Sequence, residues 1–260
     1  LKGQYLGGGS ASLNPHYVVH PLEGIQSALG DDVEINYAKG CHTYKFLPAI
    51  PTNLFKGSEG FKVEFYDGQE FEGSPIETKV LKGNKFWAMG GFGLDIVAQS
   101  KRPSLSVRFT AELQPEFSGE YDFEIFSIGP SRLSINSESL IDNWTSQEPG
   151  DAFFCMGSAP KRATINFEKG QSYNLEVEYK WEGRFPAVQI GMQAPDQFDL
   201  MQEALNLAQE SDAVILVVGT NSDWETEGND RSSLELPLNQ NELIQKVCSL
   251  NKNTVVVLNT

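Results

Sequence analysis

Cysteine and histidine are scarce in this sequence, and both shortages limit the metal chemistry that it can support. The three cysteines, Cys41, Cys155 and Cys248, are odd in number and widely spaced. They match neither a disulfide framework nor a zinc-binding pattern. The three histidines have no nearby carboxylate pair with which to form a ligand set. We therefore expect no metal site and no cofactor that depends on one.

Positive charge and long apolar runs are also lacking. The chain has 20 Lys and Arg against 35 Asp and Glu, which gives a formal net charge of −15. Nucleic-acid-binding proteins need a basic surface for the phosphates, so we expect no nucleic-acid partner. No stretch approaches the roughly 20 consecutive apolar residues of a membrane helix, so we expect no membrane partner. The acidic chain suits a neutral or cationic ligand.

The compartment and the oligomeric state stay open at this point. The sequence starts with Leu1, close to a glycine-rich segment, and shows no signal-peptide pattern, so we expect a piece of a longer chain. The unpaired cysteines favour a reducing, cytoplasmic compartment. Asn143-Trp144-Thr145 is a formal glycosylation sequon, which matters only in a secreted protein. A homo-oligomer is neither indicated nor excluded.

The two ends of the chain alternate between helix and strand patterns. In residues 196–260, a helix pattern after Asp196 precedes the continuous apolar run Ala213–Val218, which is typical of a strand buried on both faces. A long polar loop, Gly219–Pro237, leads to a second helix and a second apolar strand at Thr254–Leu258. This order predicts a parallel sheet with helices on its faces. Residues 1–52 follow the same pattern.

The middle of the chain follows a different pattern. Short segments with alternating apolar and polar residues, separated by turns, predict an antiparallel β-sandwich. We therefore predict an α/β sandwich, split in sequence, with an inserted antiparallel β-sandwich domain. The predicted boundaries are 1–52 for the first part of the α/β domain, 53–195 for the insert and 196–260 for the second part.

The loop Gly219–Pro237 is the first candidate for a functional site. Ligands of open α/β sheets bind at loops that follow the carboxyl ends of strands. This loop holds Trp224, Glu225 and Glu227 close together. Carboxylates accept hydrogen bonds from sugar hydroxyls and an indole packs against a sugar ring, although a solvated acidic loop remains the alternative. The glycine-rich segment Gly7–Ser10 has neither phosphate-binding spacing, so we predict no nucleotide cofactor.

Two motifs resemble a known enzyme family. The segment Gly7-Gly8-Gly9-Ser10-Ala11-Ser12-Leu13-Asn14-Pro15 and the segment Gly219–Pro237, with its core Glu227-Gly228-Asn229-Asp230-Arg231, resemble the second domain of glycoside hydrolase family 3 β-glucosidases of the fungal and yeast type. Segments Gly60–Tyr66, Ser118–Tyr121 and Leu140–Trp144 resemble the protective-antigen-type sandwich inserted in that domain. The resemblance spans nearly the whole chain.

The resemblance implies a chemical role for one glutamate. Glu227 matches the general acid/base of a retaining β-glucosidase that acts on terminal non-reducing β-D-glucosyl residues of β-glucosides or oligosaccharides, without cofactors. The nucleophile would lie on a (β/α)8 barrel that precedes this domain, so this chain alone is expected to be inactive. Glu225 remains the rival acid/base, whereas Asp223 is too close to Glu227 to be the nucleophile. Arg231 is expected to brace the loop.

Three aromatic residues are candidates for substrate binding. Trp224 either forms a wall of a sugar subsite or packs the loop down. Phe153 and Phe154 either lean over the active site and limit the length of the aglycone, or form a core or edge pair in the sandwich. The alternative function is a carbohydrate-binding or adhesin module without catalysis. The preference for glucosides or xylosides stays open.

Overall fold

The computed structural model describes residues 13, 15–87, 104–182, 185–228 and 231–260. It divides into two compact units, the first formed by residues 1–45 with 196–260 and the second by residues 46–195. The second unit begins seven residues before the predicted boundary at residue 53, because the backbone N–H of Leu47 already donates to the side-chain carboxylate of Glu124, in the middle of one of its strands. The glycine-rich segment Gly7–Ser10 lies outside the described residues.

The first unit is a small α/β arrangement. Its helices are α1 (Pro21–Leu29), α2 (Leu200–Glu210) and α3 (Gln240–Leu250). Strands β11 (Val214–Gly219) and β12 (Thr254–Asn259) pair in parallel, from Val214 opposite Thr254 to Gly219 opposite Asn259. A core of Cys41, Ala208, Leu243 and Val247 lies beneath the helices. This parallel pair is the arrangement that the alternation of helix and strand patterns predicts.

The sequence also predicts a helix cap at Asp196, a strand at residues 33–37 and a buried strand at residues 254–258, and all three predictions were wrong. The N-cap of α2 is Asp199, whose Oδ1 accepts from Gln202 N at 3.0 Å, whereas Asp196 Oδ2 lies 2.7 Å from His42 Nε2. Residues 33–37 are extended but belong to no described strand. Strand β12 is not buried on both faces: Val255 is 61% and Val256 40% exposed. Its apolar residues are exposed because, in the described part, β12 pairs with β11 alone.

The second unit consists of two antiparallel sheets. Its strands are β1 (Phe61–Asp67), β2 (Glu77–Leu81), β3 (Lys85–Trp87), β4 (Ser104–Leu113), β5 (Gly119–Ile128), β6 (Ser131–Ile135), β7 (Glu138–Asn143), β8 (Lys161–Phe167), β9 (Tyr173–Glu182) and β10 (Ala187–Gln193). The sheet orders are β2-β1-β4-β9-β6-β7 and β3-β10-β5-β8. Both sheets contribute to one core, in which Phe65, Phe109, Phe123 and Ile125 are 1% exposed or less. Alternation along each strand places these residues on the inner faces.

The sequon asparagine is part of a buried polar cluster in this unit. Asn143 is fully buried, and its Nδ2 donates to Oγ of Ser131 and of Ser158 at 3.0 Å and of Ser127 at 3.2 Å. A glycan would replace a hydrogen on this nitrogen, and the fully buried side chain leaves no room for a glycan in the folded unit. In this fold, the asparagine of the sequon therefore serves as a buried hydrogen-bond donor.

We expect Asn143→Ala to lower the free energy of unfolding of the 260-residue chain by about 2 kcal/mol, because buried hydroxyls lose their shared donor. Urea unfolding followed by tryptophan fluorescence measures the change. Asn166→Ala, at an exposed position of β8, is the matched control and should change stability by less than about 0.5 kcal/mol. Equal effects of the two substitutions would show that the cluster contributes nothing.

Candidate functional site

The loop Gly219–Pro237 follows the carboxyl end of β11 and is closed at its base by one side chain. Gln240, the first residue of α3, is fully buried. Its Oε1 accepts from Gly219 N at 2.8 Å, and its Nε2 donates to the carbonyl oxygens of Gly219 at 2.9 Å and Pro237 at 3.0 Å. The amide therefore joins the two ends of the loop. Gly219 also lies so close to the Asn259 carbonyl group that a Cβ would overlap it.

The first turn of the loop is organised by Asn221. Its carbonyl oxygen accepts from the backbone N–H groups of Trp224 and Glu225, both at 3.0 Å. Its side-chain Oδ1 accepts from Asp223 N at 3.0 Å. Asparagine is common in such turns because its side chain replaces a backbone acceptor. The turn sets the positions from which the next side chains project.

Trp224 is partly buried and has a partner far away in sequence. Its Nε1 donates to the carbonyl oxygen of Thr43 at 2.8 Å, and Lys45 Nζ lies 5.8 Å from the centre of the indole. An indole N–H satisfied by the backbone fixes the ring in one orientation. The side chain thus packs the loop onto the segment around Thr43.

Glu225 has a partner at each carboxylate oxygen. Thr220 Oγ1 donates to Oε2 at 2.5 Å, and Arg231 Nη1 donates to Oε1 at 2.6 Å. These hydrogen bonds, from Thr220 first and then Arg231, hold the pKa of Glu225 below its ordinary value. The group is therefore ionised at neutral pH. A general acid must carry a proton, so this environment weighs against Glu225 in that role.

Glu227 lies two residues further along the same loop. Its side chain is exposed, and it is followed by Gly228, whose φ of 77° requires the conformational freedom of glycine. Asn229 and Asp230 lie outside the described residues, whereas Arg231 braces the loop, as its pattern predicts. The structure thus presents Glu227 on the surface beside the braced Glu225.

The two phenylalanines predicted to bind substrate lie in the second unit and differ in exposure. They occupy a turn in which Phe153, Phe154 and Cys155 have positive φ values of 55°, 57° and 59°, a strained conformation for these residues. Phe153 is 6% exposed and packs against Trp87 and Phe126. Phe154 is 45% exposed, with its ring 5.8 Å from that of Trp87.

Sequence patterns did not reveal Thr43 or Gln240 as parts of this site, and they assigned no role to Thr220 within the loop. Thr43 and Gln240 carry no motif, and Thr43 meets Trp224 across 181 positions of sequence. Among the described residues, no group of three or more His, Cys, Asp or Glu side chains is placed to hold a metal ion. In the same part of the chain, no helix combines the length and the apolar character needed to cross a membrane.

The chain is similar to known proteins over nearly its whole length. A model of the glycosyl hydrolase family 3 C-terminal domain matches residues 2–260. A β-glucosidase of Rhizobium radiobacter is 32% identical over 100% of this chain and 31% of its own length. β-Glucosidase B of Emericella nidulans is 34% identical over 96% of this chain and 30% of its own length. The chain therefore spans about a third of the length of these relatives.

The fold of the chain is also similar to that of a solved structure. The β-glucosidase of Kluyveromyces marxianus superposes with a TM-score of 0.82 at 30% identity, over 98% of this chain and 31% of that one. The fold class predicted from the sequence, a parallel α/β part with antiparallel sheets, is confirmed. Since the family model spans almost every residue, the chain belongs to the C-terminal domain family of glycosyl hydrolase family 3.

Proposed function

We propose that this chain is the part of a β-glucosidase that carries the general acid/base, Glu227. The full-length protein would hydrolyse terminal non-reducing β-D-glucosyl residues of β-glucosides and oligosaccharides with retention of configuration. The observation that carries the proposal is the exposed Glu227-Gly228 pair on the loop after β11, in a chain of a glycosyl hydrolase family. The similar proteins of Rhizobium radiobacter and Emericella nidulans are named β-glucosidases, and a solved Kluyveromyces marxianus relative is described in complex with glucose.

The proposed chemistry uses Glu227 twice. As a carboxylic acid, it protonates the glycosidic oxygen as the bond to the leaving sugar breaks. As a carboxylate, it then takes a proton from the water that releases the glucosyl group from the enzyme. The nucleophilic carboxylate, about 5–5.5 Å from the acid in retaining enzymes, would belong to a (β/α)8 barrel elsewhere in the full-length protein. The hydrogen bonds that occupy both carboxylate oxygens of Glu225 and lower its pKa count against Glu225 as the proton donor.

We further propose that aromatic side chains contact the substrate. Trp224 would offer a face of its indole to the sugar ring, in the orientation that the hydrogen bond to Thr43 fixes. Phe154 would contact the aglycone, since nearly half of its side chain is exposed. Phe153 would act with it by anchoring the strained turn against Trp87 and Phe126. Strained turns of this kind concentrate at functional sites.

The second unit is proposed to be an inserted protective-antigen-type sandwich. Its two antiparallel sheets and its place between the halves of the α/β unit support this proposal. The alternative function, carbohydrate binding without catalysis, would require the purified chain to bind sugar tightly by itself. Isothermal titration of the chain with glucose and cellobiose separates the alternatives.

The proposal predicts that the purified 260-residue chain does not hydrolyse an aryl β-glucoside, because it would hold the acid/base without the nucleophile. The full-length protein should hydrolyse the same substrate at an ordinary enzymatic rate of about 1–1000 per second. Release of the aryl alcohol, followed by absorbance, measures both. Turnover by the purified chain that survives further purification would contradict the division of the two carboxyl groups between domains.

A further inference from the structure

Three side chains of the loop form a closed arrangement, which we name the Glu225 clamp: Thr220, Glu225 and Arg231. Glu225 accepts a hydrogen bond at each of its oxygens, from Thr220 at 2.5 Å and from Arg231 at 2.6 Å. Arg231 Nη2 also donates to the carbonyl oxygen of Glu235 at 2.7 Å. Arg231 is 22% exposed and Glu225 35%, so the pair is only partly open to water.

The clamp is anchored on the sheet at one end. Thr220 directly follows β11, and its backbone N–H donates to the carbonyl oxygen of Asn259 at the end of β12, at 3.1 Å. Through Glu225, this anchor is linked to Arg231 and on to Glu235. The clamp therefore connects the rigid end of the sheet to the far side of the loop.

Glu227 lies inside the segment that the clamp closes. The ion pair joins Glu225 and Arg231, which flank Glu227 and Gly228 in sequence. Gly228 lies in that segment at a φ of 77°, and glycine gives up more conformational freedom on ordering than other residues do. Holding both ends of such a segment reduces the conformations that the carboxyl of Glu227 samples. Proton transfer needs that carboxyl within hydrogen-bond reach of the glycosidic oxygen.

We propose that Glu225 is a positioning residue: its carboxylate, held by Thr220 and Arg231, fixes the backbone that leads to Glu227 and thereby aims the carboxyl of Glu227. The proposal rests on the proposed role of Glu227. Glu225 makes no contact with substrate in this account, and its negative charge serves to hold Arg231. A glutamine at this position keeps the size but turns one oxygen into an N–H₂ group, which faces either the hydroxyl of Thr220 or the guanidinium of Arg231. The amide can still donate to the Thr220 hydroxyl, but in either orientation the charge-assisted part of the link to Arg231 is lost.

The test compares Glu225→Gln, Arg231→Met and the double variant in the full-length protein. Each single substitution should lower kcat on aryl β-glucoside and on cellobiose by about 10- to 100-fold, the effect of displacing a catalytic group by about 1 Å, with little change in KM. The double variant should be no slower than the slower single variant, because both substitutions break the same link. Glu242→Gln, which breaks an exposed pair with Lys246 on α3, is the matched control and should leave kcat unchanged.

Sodium azide separates positioning from proton transfer. In Glu227→Ala, azide fits the vacated space and attacks the glucosyl-enzyme in place of water, so a C–N bond forms as the bond to the nucleophile breaks. Turnover should recover and β-glucosyl azide should accumulate. In Glu225→Ala, the carboxyl of Glu227 is still present, and azide should have no effect. The midpoint of thermal unfolding should stay within about 2 °C of the wild type in the Glu225 variants, which excludes a general loss of structure.

The outcomes distinguish the two proposals. Wild-type kcat in Glu225→Gln, or losses that add in the double variant, would overturn the positioning role and leave the role of Glu227 intact. Azide rescue of Glu225→Ala but not of Glu227→Ala would overturn both, because Glu225 would then be the acid/base. If Arg231→Met fails to fold, Arg231→Lys replaces it. The lysine keeps the charge but offers a single donor group. A kcat between those of wild type and Glu225→Gln supports the clamp, whereas a wild-type kcat counts against it.

Discussion

Glu227→Gln in the full-length protein should reduce kcat on cellobiose by about 10²–10⁴-fold, the usual contribution of general acid catalysis. Glucose is a poor leaving group and needs a proton as the glycosidic bond breaks. An aryl β-glucoside with a low-pKa phenol needs no such help, so formation of the glucosyl-enzyme should survive. Hydrolysis of the glucosyl-enzyme should slow, because the attacking water loses its general base. A burst of phenol followed by slow turnover, measured by stopped-flow absorbance, is the expected result.

The control for this experiment is Glu203→Gln, at an exposed position in the first turn of α2. It should hydrolyse both substrates normally, since it removes the same charge from a helix surface. Normal hydrolysis of both substrates by Glu227→Gln would show that Glu227 takes no part in catalysis. Glu225, or a non-enzymatic role for the chain, would then become the leading interpretation.

Glu178→Leu should lower the free energy of unfolding of the 260-residue chain by about 2–3 kcal/mol, because charged hydrogen bonds at a nearly buried carboxylate are lost while the two arginines stay partly exposed to water. Glu178 is 7% exposed in the middle of β9. It accepts from Arg108 Nη2 at 2.8 Å and from Arg132 Nε at 2.7 Å, and also from Arg132 Nη2. Leucine at this position leaves both guanidinium groups without their shared partner, so they must be resolvated or repel each other.

A neighbouring residue provides the control for Glu178. Glu176 lies two positions earlier on the same face of β9, is 42% exposed and pairs with Arg108 Nε at 3.4 Å. Glu176→Leu should cost less than about 1 kcal/mol, because exposed ion pairs contribute little. Urea unfolding of both variants measures the difference. A loss below about 1 kcal/mol for Glu178→Leu would mean that the arginines are held by their aromatic neighbours alone, Tyr66 and Phe71 for Arg108 and Trp144 for Arg132.

The same site has a pH dependence of defined sign. Burial raises the pKa of Glu178, but the hydrogen bonds and charges of Arg108 and Arg132 outweigh it, so the net pKa lies below the ordinary value of 4.5. The contribution of Glu178 to stability is therefore fully present above 4.5 and is lost as the pH falls through the pKa of the folded state. The difference in the free energy of unfolding between wild type and Glu178→Gln should be constant from neutral pH down to about 4.5 and should shrink at lower pH.

Local patterns decided much of the framework from the sequence alone. The apolar run before Gly219 and the helix pattern after Pro237 predict β11 and α3 within a residue or two, because a buried strand and an amphipathic helix each impose their own period on the chain. The position of Glu227 on the loop between them also follows from the sequence, since the loop is defined by its two neighbours. The family resemblance required no structure either, because each motif that carries it is contiguous in sequence.

Contacts between distant segments were decided only by the tertiary structure. The sequence leaves Glu225 and Glu227 as rivals, whereas the structure shows that Thr220 and Arg231 occupy both carboxylate oxygens of Glu225. Trp224 and Thr43 are 181 positions apart, and adjacent Phe153 and Phe154 differ in burial because a left-handed turn separates their directions. Such differences depend on which atoms lie within a few ångströms after folding, and no local periodicity records that.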